Sequence, residues 1–111
     1  MRVAGGDAKG RRLNGAVSPG TRATTERVRA AIFNILGPEQ YQGGRVLDLF
    51  AGTGSLGIEA LSHGAAWADF VEWDRRQSVV ISNNLESTGF DSQSHVPVSY
   101  THLTLPTKRI V

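Results

Sequence analysis

Gly52-Thr53-Gly54-Ser55-Leu56-Gly57 sets three glycines at the spacing of a loop on which a nucleotide-like ligand can rest. The first two let the backbone turn sharply and let a ligand approach the main chain. Gly57, inside the helix that should follow, lets that helix pack close on the preceding strand. Glu72 stands 20 residues after Gly52, at the end of the next apolar run. A carboxylate there can accept hydrogen bonds from ribose hydroxyls. The plainer reading is a tight strand-to-helix turn beside a solvated acid, but the spacing and its context together favour a ligand.

Asp48, four residues before Gly52, bears on which ligand. The pyrophosphate of a nicotinamide or flavin dinucleotide would be repelled by a carboxylate at the mouth of the turn. S-Adenosylmethionine carries no phosphate and brings an ammonium and a sulfonium that an acid attracts. Asp48 could also serve as a turn residue accepting backbone N–H groups, and the two roles can coexist. No Gly-Lys-Ser/Thr follows the glycines, which excludes a P-loop.

The surrounding pattern supplies elements to hold these residues. Arg45-Val46-Leu47-Asp48-Leu49-Phe50 reads as a buried strand leading into the glycines. Ser55 to His63 reads as a helix closed by Gly64, Trp67 to Glu72 as a second strand, and Asp74 to Thr88 as a second helix closed by Gly89. His95 to Val98 begins a third strand. Strand and helix alternating over short connections predict an α/β fold with a parallel sheet of about three strands and right-handed crossovers. Before this unit, Thr25 to Leu36 places Val28, Ala31, Ile32, Ile35 and Leu36 on one helical stripe, with Thr24 or Thr25 as N-cap and Gly37-Pro38 as the stop. The Gly-rich start, with short strand-like pieces around Arg2 to Ala4 and Arg11 to Leu13, could form a hairpin or arm.

Charge divides the chain. Residues 1–29 carry seven basic and two acidic side chains, whereas residues 30–97 carry three basic and eight acidic. A basic arm on an acidic body fits a polyanion for the arm and a cationic ligand for the body, although solvated surface charge would look the same. There are no cysteines, and His63, His95 and His102 are scattered, so neither a disulfide framework nor a metal centre is expected. No apolar run is long enough for a membrane helix or a secretory leader, and a cytoplasmic setting is the default.

Val46 to Ala65, reading VLDLFAGTGSLGIEALSHGA, resembles the cofactor motif of the RNA guanine-N2 methyltransferases that act on small-subunit ribosomal RNA. Lys9-Gly10-Arg11-Arg12-Leu13 and Thr21-Arg22-Ala23-Thr24-Thr25-Glu26-Arg27-Val28-Arg29 resemble that family's arm and first helix, with Ala23 where proline is usual. The resemblance runs from residue 2 to about residue 90. It implies a Rossmann-like class I methyltransferase fold, incomplete in this chain, preceded by an arm and helix over residues 1–37. It implies S-adenosylmethionine as cofactor, held by Asp48, Phe50, Ala51, Gly52, Thr53 and Gly54 at the methionine end, by Glu72 at the ribose and by Trp73 near the adenine. Lys9, Arg11, Arg12, Arg22 and Arg27 would face phosphates of ribosomal RNA in the small subunit, the full-length protein being a monomer. Another RNA or DNA N-methyltransferase, or an inert RNA-binding remnant, remains an alternative.

Methylation of an exocyclic guanine amine needs the base flipped and its amine held, which the family does with an (Asn/Asp)-Pro-Pro-(Tyr/Phe) motif. Prolines stand here only at 19, 38, 97 and 106, so no catalytic residue is assigned and the chain is expected to be inactive. Val98-Ser99-Tyr100-Thr101-His102-Leu103-Thr104-Leu105-Pro106-Thr107 resembles the translation of a common sequencing adapter. On that reading the cofactor half-domain spans residues 38–97, and residues 98–111 form a non-native tail that leaves Val46, Leu47 and Leu49 under-buried. The alternative is a genuine strand packing Tyr100, Leu103 and Leu105.

Overall fold

Thr25 opens the first helix: its hydroxyl accepts the N–H of Val28 at 3.2 Å, and α1 runs over Glu26–Leu36 until Gly37, at φ 79°, turns the chain out. A single 3₁₀ turn, Pro38–Gln40, leads to β1 over Arg45–Leu49. Then follow α2 (Ser55–Ser62), β2 (Trp67–Val71), α3 (Arg75–Thr88), a 3₁₀ turn and β3 (Ser94–His95). This computed structural model describes residues 1–15, 24–49 and 51–96, and the backbone of 109–110. Arg22 and Phe50 therefore lie outside the described residues, as does most of the expected tail.

The strands form one parallel sheet in the order β3-β2-β1-β4, where β4 is the backbone of Arg109–Ile110. β1 and β2 pair over their whole length, from Arg45 opposite Trp67 to Leu49 opposite Val71. Three strands match the sequence expectation, and the short fourth ladder along Val46 and Leu47 adds to it. Val46 and Leu47 are buried rather than bare, and only Leu49 is left partly open. The chain moves outward from β1 through β2 to β3 and reappears on the other side of β1. In parallel α/β sheets, ligands bind beyond the carboxyl ends of strands at such a reversal.

The buried face of α1 departs from the predicted stripe. Arg29 and Phe33 are buried and Ile32 and Leu36 partly so, while Val28 and Ile35 stand 47% and 84% exposed. The helix is turned so that Arg29 reaches Glu59 on α2 and Phe33 stacks on His63, ring centroids 5.0 Å apart. A pattern that counts only apolar residues cannot register an arginine as an inward position.

Candidate cofactor loop and basic arm

Leaving β1, the chain keeps one further bond to β2, the N–H of Ala51 donating to the carbonyl of Val71 at 2.9 Å. It then turns through Gly52 (φ 58°) and Gly54 (φ 80°), left-handed conformations that favour glycine, and Gly54 serves as the N-cap of α2. Gly57 has a different reason. A Cβ there would lie 2.3 Å from Cε1 of Phe70 on β2, so α2 can sit this close to the sheet only without one.

Two carboxylates brace the loop. Glu72, just past β2, accepts the N–H of Gly52 through Oε1 and that of Asp74 through Oε2, both at 2.9 Å. Each oxygen retains a lone pair for a further donor. Asp48 is buried in β1 and accepts the N–H of Gly57 at 3.1 Å. Burial, reinforced by the charge of Glu72 and opposed by the bond from Gly57, pushes its pKa up to about 8. A cation would favour the ionised form of that acid. Of the other predicted cofactor residues, Ala51 and Thr53 are buried within the loop and Trp73 is exposed. Glu72 and Trp73, together with Val79 and Val96, line a cleft of about 370 Å³ beside the end of β2. The chemistry of this set fits S-adenosylmethionine: carboxylates for ribose hydroxyls and for a cation, glycine backbone for close approach, and an aromatic beside the acid. Among the described residues no group of three or more histidines and acids could hold a metal, and no helix is long and apolar enough to cross a membrane.

The arm folds back on itself. An antiparallel bridge joins Arg2 to Arg12, backbone bonds of 2.9 Å tie Val3 to Arg11 and Leu13 to Met1, and Val3, Ala8 and Leu13 turn inward. That leaves Lys9, Arg11 and Arg12 outside, with Arg27 exposed on α1. Arg11 also reaches the carbonyl of Ser87, at 3.4 Å. Arg2, which the sequence reading left out of its candidates, joins Arg12 along a groove facing the start of α1.

What sequence reasoning missed is how the arm is held. Glu59 of α2 is fully buried and accepts from Ala4 N (2.9 Å), Gly5 N (3.0 Å), Arg29 Nε (3.1 Å) and, when that ring nitrogen carries the proton, His63 Nε2 (2.9 Å). Ser62 accepts the N–H of Ala8 at 2.9 Å and donates to the carbonyl of Gly5 at 2.6 Å. Gly6 passes so close that a Cβ would meet the Ser62 carbonyl oxygen at 2.0 Å. The available signal was a glutamate inside an otherwise apolar helical run.

An open parallel sheet with crossover helices and a braced glycine loop at its reversal point form a Rossmann-like arrangement, and its structural neighbours have the class I methyltransferase fold. The C-terminal domain of precorrin-6Y C5,15-methyltransferase from Rhodobacter capsulatus shares it, with TM-score 0.63 at 23% identity over 77% of this chain and 47% of that one. The family described as Conserved hypothetical protein 95 matches residues 1–109, and the chain belongs to it. Ribosomal RNA small subunit methyltransferase D of Escherichia coli K12 is 47% identical over 85 residues, 77% of this chain and 42% of that protein. The solved structure of hypothetical protein TTHA0928 from Thermus thermophilus superposes with TM-score 0.73 at 36% identity, over 88% of this chain and 56% of that one. The chain thus spans about half the length of such relatives.

Proposed function

We propose that this chain is the S-adenosylmethionine-binding portion of a methyltransferase that modifies a guanine N2 amine in 16S ribosomal RNA, with residues 1–37 as its RNA-facing arm and helix. The observation that carries the reading is the loop between Asp48 and Glu72, with carboxylates bracing it at Gly57 and Gly52. The similarity to ribosomal RNA small subunit methyltransferase D supplies the substrate class.

Bound S-adenosylmethionine supplies an electrophilic methyl group on its sulfonium. Glu72 accepts the ribose hydroxyls while still holding Gly52, and Asp48 gives up its proton to face the cationic end. Ala51, Gly52, Thr53 and Gly54 form the backbone cradle, Phe50 is assigned to the methionine end from the sequence resemblance alone, and Trp73 covers the adenine side. Lys9, Arg11, Arg12, Arg22 and Arg27 neutralise RNA phosphates. No (Asn/Asp)-Pro-Pro-(Tyr/Phe) sequence occurs in the 111 residues, so they bind cofactor without positioning the amine for transfer.

The test is calorimetric titration of the chain with S-adenosylmethionine, followed by incorporation of labelled methyl into undermethylated small subunits by a version fused to the downstream half of a relative. Cofactor binding with labelling confined to a guanine of 16S RNA supports the reading. Failure of the wild-type chain to bind the cofactor overturns it.

A further inference from the structure

Asn84 lies on the inward face of α3 and is only 1% exposed, yet it belongs to neither the braced loop nor the arm. Its amide touches both. Oδ1 accepts the N–H of Asn14 at 2.7 Å, and Nδ2 donates to the carbonyl of Asn14 at 3.1 Å and to that of Thr53 at 2.9 Å. Asn14 follows Arg12 by two residues at the end of the arm's paired segment, and Thr53 lies between the two loop glycines. One side chain thereby gives the arm a bond pair like that of a neighbouring strand and pins the cofactor loop from behind. The hydroxyl of Thr53 points the same way, 3.7 Å from the sulfur of Met1.

A buried amide of this kind is satisfied only while both partners are in place. Displacement of Thr53 or of Asn14 strands a donor or acceptor away from water, so the ordered state of each favours that of the other. Resting on the proposed function for its two ligands, we propose that Asn84 is a positioning residue coupling the cofactor loop to the basic arm, so that RNA on the arm tightens S-adenosylmethionine binding and the cofactor tightens RNA binding by the same factor.

S-Adenosylmethionine affinity is measured with and without a saturating 16S ribosomal RNA transcript, in the wild-type chain and in Asn84→Asp, Asn84→Ala and Val80→Ala. Asn84→Asp keeps an acceptor for Asn14 and the side-chain volume but cannot make both donated bonds: ionised it donates neither, and protonated it donates one. Val80→Ala, a buried change on the same helix, reports general loosening. The ratio of the two affinities should be at least about fivefold in the wild type and in Val80→Ala, and fall below about twofold in either Asn84 variant. A merely structural role would lower thermal stability and both affinities while leaving the ratio alone. That result, or a wild-type ratio of one with both ligands bound, overturns the coupling and leaves the proposed function standing. A wild-type chain that binds neither ligand overturns both.

Discussion

Arg29 of α1 and Glu59 of α2 form an ion pair of 3.1 Å in which both side chains are fully buried. Removing two charges from water is costly, and such a pair is tolerated only when its remaining hydrogen-bonding capacity is filled. Here it is. Arg29 also donates to the carbonyls of Arg2 and Thr24, and Glu59 accepts from Ala4 and Gly5 of the arm. The pair therefore fastens the segment bearing the basic residues, and its value lies in where it holds the arm.

Breaking the pair from one side should be far worse than removing it whole. Glu59→Gln preserves shape but leaves the Arg29 guanidinium buried without a counter-charge, a loss of about 3–5 kcal/mol. Arg29→Met combined with Glu59→Leu should cost less than the sum of the single changes. Urea denaturation of the wild type, the single variants and the double variant measures the difference, and additive losses would show that the two groups act independently.

Glu72→Ala removes both the expected ribose acceptor and the brace on Gly52. Affinity for S-adenosylmethionine should fall by about 1.5–3 kcal/mol, read by calorimetric titration. An unchanged dissociation constant would exclude Glu72 from the cofactor site.

Asp48 gives the site a pH signature. Its native pKa of about 8 lies above the ordinary 3.8, so the folded chain holds this proton more tightly than the unfolded one. The associated stability is complete below about pH 3.8 and is lost as pH rises to about 8. Asp48→Asn should accordingly raise the melting temperature relative to wild type by an increment that grows across that range and then levels off. A cation stabilises the ionised acid, so cofactor affinity should climb with pH up to about 8 in the wild type through a component that Asp48→Asn lacks. Parallel melting and binding series in both proteins decide the point, and superimposable pH profiles would refute it.

Gly57→Ala tests the helix-to-sheet contact. In an open helix the change should gain about 1 kcal/mol of helical preference. Here the added methyl meets the Phe70 ring at 2.3 Å, so a net loss of about 1–3 kcal/mol is expected. Phe70→Leu in the Gly57→Ala background should recover part of it. Thermal denaturation of the single and double variants is the measurement.

The arm should bind RNA mainly through charge. Replacing Arg11 and Arg12 together by alanine should lower the slope of log affinity against log salt by about 1.4–1.8 for two lost phosphate contacts. An unchanged slope in a salt series would remove these two arginines from the interface.

The βαβ frame was legible because its signals are local. Alternation of short apolar runs with helical periods set β1, α2, β2 and α3 to within a residue or two, Asp74 and Gly89 marked the ends of α3, and the glycine loop followed from its spacing and its place between strand and helix. Asp48 and Glu72 were also visible as candidates, one four residues before Gly52 and the other at the end of the next apolar run, and the structure adds the backbone groups that each one holds. The inward face of α1 and the docking of the arm were not legible. Arg29, Glu59 and Asn84 are polar residues whose burial depends on partners 30, 55 and 70 positions away, and no period within a single helix encodes such a partner. Sequence set the elements and the chemistry of the loop; only tertiary packing could decide which charges would leave water, because a buried charge is stable only where the fold brings every one of its hydrogen-bonding partners to it.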